Sequence, residues 1–239
     1  MNYAKYLIIT ILLILIYFYN FYTPEVITFT SNKKGVNIFI LGSVHGNEPA
    51  GTESCYKLIE MLESKKLKLK SGSITILPMP NPLGFFIGSR HQLKPFNSDI
   101  NRNFLGSGLD RISNIILSYV KKADFIIDMH EGWGFNRINP NSIGSTLAYT
   151  QFDRSENICK EMLKEVNKTI ENNNYKFNIL KKKKSNCKPK GSLGCYCQKN
   201  KIDYILIETT GQNDKQKLEI RVNQDLIFLK TGLKELKII

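Results

Sequence analysis

The chain has 239 residues, enough for one well-filled hydrophobic core and too few for two large domains. Hydrophobic residues make up 42% of it, which excludes intrinsic disorder as the default state. The 34 basic residues against 21 acidic ones give a net charge of +13, which favours anionic partners such as nucleic acid, a lipid surface or an acidic substrate. A generally basic, solvated surface explains the same excess without any partner.

The first segment of the chain is strongly apolar. Within Tyr6–Tyr22 only Thr10 and Asn20 interrupt the apolar run, which as a helix would reach ~25 Å, barely the hydrocarbon core of a thin bilayer. No small-residue cleavage site follows it, so an uncleaved anchor is favoured over a signal peptide. We therefore expect residues 1–25 to form a single-pass N-terminal transmembrane helix and residues 26–239 to form one folded domain. A buried first helix of that domain is the alternative.

The five cysteines leave the redox compartment open. Cys187, Cys195 and Cys197 crowd together beside the lysine run 181–184. A structural zinc site normally needs four close nitrogen or sulfur ligands, and this stretch offers three cysteines and no histidine. A local disulfide and an inert thiol cluster in a basic loop both fit the pattern.

Downstream of the first segment, apolar runs alternate with amphipathic stretches. Val36–Gly42 is rich in β-branched and aromatic residues and ends at a glycine, which predicts a buried strand. Helical spacing of apolar residues predicts a helix from Pro49 to Lys66, with the proline in its first turn. Further strands are predicted over 73–79, 124–130, 145–150 and 203–210, and further helices over 109–123, 155–173 and the last twenty-odd residues.

This alternation of strands and helices predicts an α/β fold around a largely parallel sheet. The sequence contains no internal repeat and no second domain boundary. Residues 173–200 are the least regular part, and we expect a long loop or a hairpin there.

Four ionisable side chains lie at or just beyond the ends of predicted strands. His45 and Glu48 follow the strand over 36–42, His130 ends the strand over 124–130, and Glu208 lies near the end of the strand over 203–210. In open α/β sheets the carboxyl ends of the strands meet at one edge, so we expect these side chains to converge. Two histidines and one carboxylate leave a coordination position open for water, as a hydrolytic zinc site requires. Other divalent ions accept the same ligands.

The residues around this set support the same interpretation. Glu208 is the best candidate for the general base, and Glu131 is the second candidate because it adjoins His130. The small residues of the turn between His45 and Glu48 would let both side chains face one metal ion. The H-x-x-E pattern alone is more typical of a surface pair on a turn. Its position after a strand and the second histidine at a strand end favour the metal site.

The stretch NPLGFFIGSRHQLKPFNSDINRNF, residues 81–104, contains two arginines that suit carboxylate recognition. Arg102 beside Asn101 is a candidate clamp for a substrate carboxylate, and Arg90 is a candidate to polarise the scissile carbonyl and stabilise the oxyanion. A surface salt bridge is the alternative for each arginine. Asp99 is expected to brace the loop or a ligand histidine.

The motifs HGNEPAG, DINRNF, DMH and IETT occur in the order and approximate spacing of the zinc carboxypeptidases and their succinylglutamate desuccinylase/aspartoacylase relatives. The resemblance covers about residues 36–210 and implies a three-layer α/β/α fold with a mostly parallel mixed central sheet. The roles that it implies are zinc binding by His45, Glu48 and His130, general base for Glu208, and binding of the substrate carboxylate by Asn101 and Arg102. Arg90 matches the family's carbonyl-polarising arginine less closely, because its distance from DINRNF varies among branches.

One feature of the sequence is similar to the deacylase branch of this family, and another differs from it. The forms HGNE and DMHEGWGF are more similar to the deacylases than to the digestive carboxypeptidases. The deacylases usually carry an additional β-rich C-terminal domain, whereas about thirty residues follow Glu208 here. We therefore expect a minimal catalytic domain on a membrane anchor, with the side of the membrane left open. Trp133, Phe135 and Arg137 are expected to line the substrate pocket, with core packing as the alternative for the two aromatic residues.

The leading hypothesis is a hydrolase with one zinc ion per chain that cleaves an amide bond near a free carboxylate. An N-acyl-amino-acid deacylase comes first, and a metallocarboxypeptidase acting on short or cell-wall peptides is the alternative. From another class, an inactive tethered module could bind acidic partners, but such a module would not need Glu208. No specific nucleic-acid binding is expected, because the lysine cluster over 181–190 lacks an aromatic platform.

Overall fold

The computed structural model of the chain describes residues 2–21, 23–92, 98–106, 110–180 and 189–239. The strands in these residues are β1 (Ile27–Thr30), β2 (Asn37–Leu41), β3 (Ser73–Leu77), β4 (Phe125–Trp133), β5 (Thr146–Tyr149), β6 (Asn178–Ile179) and β7 (Asp203–Gln212). They form one sheet in the order β1-β3-β2-β4-β7-β5-β6. The pairings β1 with β3 and β5 with β7 are antiparallel and the others are parallel, so the predicted mostly parallel mixed sheet is confirmed.

The described residues also contain helices. They are α1 (Asn2–Phe21), α2 (Pro49–Glu63), α3 (Pro82–Ile87), α4 (Arg111–Val120), α5 (Asp153–Lys168), α6 (Leu193–Lys199) and α7 (Leu218–Glu235), with 3-10 turns at Ile100–Arg102 and Asn173–Tyr175. The region 173–200, expected to be a loop or a hairpin, contains the short strand β6 and helix α6 in its described part. Both elements have fewer than eight residues, too few for a clear apolar period in the sequence.

The sheet separates two hydrophobic clusters. On one side, called the α7 face, side chains of α2, α5 and α7 pack on Ile127 and Met129 of β4. On the other side, called the α6 face, side chains of α4 and α6 pack on Ile126 of β4 and Tyr204 of β7. Because successive residues of a strand point to opposite faces, this pattern fixes the face on which each polar residue of β4 and β7 lies. The three-layer α/β/α arrangement predicted from the family resemblance is thereby confirmed.

Helix α1 covers most of the segment that was predicted to cross a membrane. The described side chains over residues 3–14 are exposed, so α1 is not a buried first helix of the domain. In the part of the chain that the structure describes, no helix is both long enough and apolar enough to cross a membrane. The predicted transmembrane helix is therefore not supported. The prediction depended on the run Tyr6–Tyr22, whose helical length of ~25 Å falls short of the ~30 Å core of a typical bilayer.

The cysteines have different states. Cys195 is disulfide-bonded, whereas Cys55, Cys159 and Cys197 are free and buried. Cys187 and the lysine run 181–184 lie outside the described residues. Cys195 and Cys197 therefore do not form the inert thiol cluster that was one alternative from the sequence.

Candidate active site

The first two candidate ligands lie in the turn that joins β2 to α2. The N–H of Glu48 donates to the carbonyl of His45 at 3.2 Å, which closes the turn. Gly46 packs directly on the backbone of Gly84 in α3, where any Cβ would overlap it. Pro49 occupies the first position of α2, where the missing N–H costs no helical hydrogen bond. The small residues noted in the sequence therefore permit a tight turn against α3.

His130 completes a compact cluster with these two residues. Its Nδ1 lies 2.9 Å from Glu48 Oε2 and 3.0 Å from His45 Nδ1, and His45 Nδ1 lies 2.8 Å from Glu48 Oε1. The ligand atoms of the three residues all lie within 4.8 Å of one another, and each residue is at most 2% exposed. Two imidazole nitrogens and a carboxylate aimed at one point are a donor set that suits zinc. The convergence predicted from the sequence is present.

Other polar residues hold the two histidines from behind. His45 Nε2 lies 2.9 Å from Asp99 Oδ1, so the predicted bracing role of Asp99 is confirmed. His130 Nε2 lies 3.2 Å from Asn101 Nδ2 and 3.4 Å from Asp128 Oδ1. Tyr204 donates its hydroxyl hydrogen to Asp128 Oδ2 at 2.7 Å. Such partners fix the ring orientation of a ligating histidine and raise its basicity.

The charges within the cluster shift its pKa values. Burial alone would raise the pKa of Glu48, but the neighbouring His45 and His130 hold that pKa well below its ordinary range. Burial lowers the pKa of His130, but Asp128 and Glu48 outweigh this effect and raise it well above its ordinary value. Without a metal ion, the negative charge of Glu48 and the positive charge of His130 therefore stabilise each other. A cation bound there would replace the proton on the imidazole.

The two predicted arginines lie at this cluster. Arg90 Nη1 donates to Glu48 Oε1 at 2.9 Å, and its Nη2 donates to Asp99 Oδ2 at 3.2 Å. Arg102 donates to the carbonyl of Asn101 at 2.8 Å and lies 3.9 Å from Asp99 Oδ2. The side chain of Arg102 is 45% exposed and that of Arg90 is 33% exposed, so both can reach a bound molecule.

Glu208 lies beside the third candidate ligand. It is the register partner of His130 in the parallel pairing of β4 with β7, and the two side chains project from the same face of the sheet. Its residue is 9% exposed, and burial raises the pKa of its carboxyl group to about 8. Glu208 is therefore a poorly solvated carboxyl group beside His130 in the sheet.

Glu131, the second candidate for the base, points elsewhere. It follows His130 in β4 and projects from the opposite side, the α7 face. Its Oε1 accepts a hydrogen bond from the N–H of Ala50 at 2.6 Å, and its Oε2 accepts one from Arg221 Nη1. Both carboxylate oxygens thus have protein partners on the far side of the sheet, which removes Glu131 as a candidate base.

Two of the three residues predicted to line the pocket have contacts elsewhere. Arg137 donates to Asn178 Oδ1 at 3.1 Å, at the β6 edge of the sheet. The ring of Phe135 stacks on Tyr175 with 4.3 Å between centroids. Trp133 is 42% exposed at the end of β4. Their described contacts thus place Arg137 and Phe135 against the β6 side of the molecule and not against the histidines.

Asp128, Tyr204 and Arg221 also belong to the surroundings of the site and were not predicted from the sequence. Asp128 had a usable signal, since it precedes His130 by two positions in a strand and must share its face. Tyr204 and Arg221 had none, because their partners lie 76 and 90 residues away along the chain.

Comparison with known proteins agrees with this fold. Residues 34–135 match the model of the succinylglutamate desuccinylase/aspartoacylase catalytic domain, and all three candidate ligands lie in that range. Carboxypeptidase 2 from Trichophyton rubrum is 28% identical over 132 residues, which cover 53% of this chain and 24% of the relative.

Solved structures with the same fold include the mDAP-bound form of Helicobacter pylori Csd4, a D,L-carboxypeptidase, with a TM-score of 0.73 at 18% identity. That likeness covers 89% of this chain and 55% of Csd4. The ectoine utilization protein EutE (DoeB) from Ruegeria pomeroyi, in a product-bound form, has a TM-score of 0.64 at 17% identity over 90% of this chain and 61% of EutE. The chain thus spans little more than half the length of these structures.

The chain thus shares its fold with metallocarboxypeptidase-like proteins, and its His-Glu-His cluster is a group that could hold a metal ion. The match over residues 34–135 agrees with the resemblance to the succinylglutamate desuccinylase/aspartoacylase family that was noted in the sequence.

Proposed function

We propose that the chain is a zinc-dependent hydrolase that cleaves the amide bond of N-acyl amino acids close to their free carboxylate. The observation that carries the proposal is the buried cluster of His45, Glu48 and His130 with Glu208 at the register position beside His130. The match of residues 34–135 to a deacylase catalytic domain supports this substrate class.

His45, Glu48 and His130 would hold one zinc ion through two imidazole nitrogens and a carboxylate. When bound, zinc supplies Lewis acidity, which polarises a carbonyl group and lowers the pKa of water to ~7. Because the three side chains are almost fully buried, the surrounding protein also limits competing ligands from solvent.

Glu208 would take a proton from the attacking water and give it to the departing amine. Its buried position raises its pKa to about 8, so in the metal-free protein the carboxyl group is mostly protonated at neutral pH. A cation bound nearby favours the ionised form, which is the form that accepts a proton. Base catalysis by Glu208 therefore requires an occupied metal site.

The arginines would provide charge complementarity to the substrate. Arg90 lies next to Glu48, where it can stabilise negative charge that develops on the carbonyl oxygen. Arg102 has the more exposed guanidinium and lies beside Asn101, so it suits a carboxylate at the rim of the site. A substrate with a free carboxylate within reach of Arg102 would place its amide bond over the cluster.

A metallocarboxypeptidase acting on short or cell-wall peptides is the second candidate. It is supported by the match to carboxypeptidase 2 and by the fold shared with Csd4, which is described as a D,L-carboxypeptidase and has been solved with a bound tripeptide. Both candidates need the same zinc ligands, base and carboxylate recognition, and they differ in the acyl side of the substrate.

The test is the release of free amine from panels of N-acyl amino acids and of short peptides by the full chain loaded with zinc. Glu208→Gln should lower kcat by ~10²–10⁴-fold, as expected for loss of a general base. Glu219→Gln, which changes an exposed glutamate of α7, is the matched control and should leave kcat unchanged. Turnover that survives Glu208→Gln would contradict the role of Glu208, and turnover of neither panel would contradict the proposed function.

A further inference from the structure

A buried ion pair lies behind the candidate metal ligands, on the α7 face of the sheet. Glu131 of β4 pairs with Arg221, in the first turn of α7, and their side chains are 0% and 5% exposed. A buried ion pair is not in general more stabilising than apolar packing of the same volume, because both charges must leave water. The presence of this pair beside a candidate active site therefore needs another explanation.

Glu131 contacts the ligand Glu48 and the helix that follows it. The N–H of Glu131 donates to Glu48 Oε2 at 3.1 Å. Its side-chain Oε1 accepts from the N–H of Ala50 at 2.6 Å, one of the free donors at the start of α2. Glu131 thus fixes both the carboxylate of Glu48 and the backbone two residues further on.

Arg221 fixes Glu131 in turn. It donates to Oε2, the oxygen that does not contact Ala50, so each carboxylate oxygen has its own N–H donor. Rotation of the carboxylate would leave a buried guanidinium without its partner, which is costly. Gln212 Nε2 also donates to the carbonyl of Glu131 at 2.9 Å, so the backbone of this residue is held as well.

Gly211 provides the space for the ion pair. A Cβ at this position would overlap Glu131 Oε2 and Arg221 Nη1.

A hydrogen bond also joins helix α7 to helix α2. One turn beyond Arg221, Asp225 accepts a hydrogen bond from Ser54 Oγ of α2 at 3.3 Å. Helix α7 is therefore tied to α2 one turn beyond the pair, and α2 begins directly after Glu48.

We propose that Glu131 and Arg221 are positioning residues, which orient Glu48 as a metal ligand from the opposite side of the sheet. The inference rests on the proposed function, since it takes Glu48 to be a zinc ligand. It extends beyond the matched catalytic domain, because Arg221 lies outside residues 34–135. The C-terminal helix α7 thereby becomes part of the support of the metal site.

The test is the zinc affinity of the full chain, measured by competition with a chromophoric chelator. Glu131→Gln keeps the shape of the side chain but replaces one acceptor oxygen by an NH₂ donor. One of the two N–H groups, from Ala50 or from Arg221, then faces a donor in place of an acceptor. We expect its zinc affinity to fall by ~10–100-fold, as for other residues that orient a metal ligand. Arg221→Met should lower the affinity in the same direction. Glu63→Gln, which changes an exposed glutamate at the end of α2, is the matched control and should bind zinc like the wild type.

Two further readouts separate positioning from a general loss of stability. Because both residues act through one contact, the double variant should lose about as much zinc affinity as either single variant. Excess zinc should restore most of the activity of Glu131→Gln, since the variant retains its ligands and its base. If Arg221→Met does not fold, Glu131→Gln decides the question.

The outcomes distinguish this inference from the proposed function. A wild-type chain that binds no zinc would overturn both. A wild-type chain that binds zinc, with a folded Glu131→Gln variant within about threefold of its affinity, would overturn the positioning role alone.

Discussion

Replacing Gly211 by alanine would place a methyl group where the buried Glu131–Arg221 pair lies. A Cβ at residue 211 overlaps Glu131 Oε2 and Arg221 Nη1, so one partner must move by more than an ångström. The backbone of Gly211 is not in the left-handed region, so alanine meets no conformational strain there. The effect of Gly211→Ala on stability therefore measures the overlap with the ion pair.

The expected loss can be bounded by two processes. If the core relaxes around the methyl group, overpacking costs ~1–3 kcal/mol, and if the buried pair separates, the loss is ~3–5 kcal/mol. The overlap involves both partners of the pair, so we expect separation and a fall of ~3–5 kcal/mol in the free energy of unfolding. A fall of this size is a large part of the ~5–15 kcal/mol that stabilises a typical domain.

The assay is urea unfolding of the full chain, followed by circular dichroism. Gly88→Ala is the contrasting control, since a Cβ there meets nothing within 4 Å but the φ of +64° is left-handed. It should cost only the ~1–2 kcal/mol of a non-glycine residue in that conformation. A Gly211→Ala variant within about 0.5 kcal/mol of the wild type would refute the reasoning, because the pair would then not occupy this space.

Three further predictions concern buried polar groups outside the metal ligands. Burial raises the pKa of Asp225 well above 3.8, so the folded chain binds more protons than the unfolded one above that pH, and stability falls as the pH rises. Asp225→Asn should flatten this decline in urea unfolding measured from pH 4.5 to pH 8, and parallel curves for variant and wild type would contradict it. Tyr204→Phe removes the donor to Asp128 Oδ2 and should lower the free energy of unfolding by ~1–3 kcal/mol in the same assay, whereas an unchanged value would show that water replaces the hydroxyl. Burial raises the pKa of Cys159 to about 12, and mass spectrometry after iodoacetamide treatment should find it unmodified in the native chain and modified after unfolding; labelling at full rate in the native state would contradict its burial. The same result is expected of the other free thiols, Cys55 and Cys197.

The longer elements of the fold could be predicted because each has a clear apolar pattern. The strand over 203–210 and the helix over 155–173 correspond to β7 and α5 with small shifts at their ends. The elements that the sequence did not indicate, β1, α3, α6 and β6, are short, and their apolar residues do not repeat often enough to define a period. Each of β1 and β6 pairs with a neighbouring strand, and such a tertiary contact cannot be read from four residues or two.

The part of the candidate site that lies at the ends of strands could be predicted from the sequence. His45, Glu48 and His130 converge as expected, because the carboxyl ends of β2 and β4 are neighbours in the sheet. Contacts between distant segments could not be predicted in this way. Arg137 illustrates the difference, since its place four residues beyond β4 suggested the pocket, whereas its side chain donates to Asn178 of β6.

The role of Glu131 required the structure for the same reason. Next to His130 in sequence, it looked like a second candidate for the base, but the alternation of side chains along β4 turns it to the other face. Its partner Arg221 lies 90 residues further along the chain, and only the packing of α7 on α2 brings the two together.

The central claim is that His45, Glu48 and His130 bind one zinc ion, and elemental analysis of the full chain tests it most directly. The purified chain should contain about one zinc ion per molecule, whereas folded His45→Ala and His130→Ala variants should contain almost none, since three protein ligands are the usual minimum for a catalytic zinc site. A well-folded wild-type chain without stoichiometric zinc after incubation with zinc, or variants that retain it, would contradict the account.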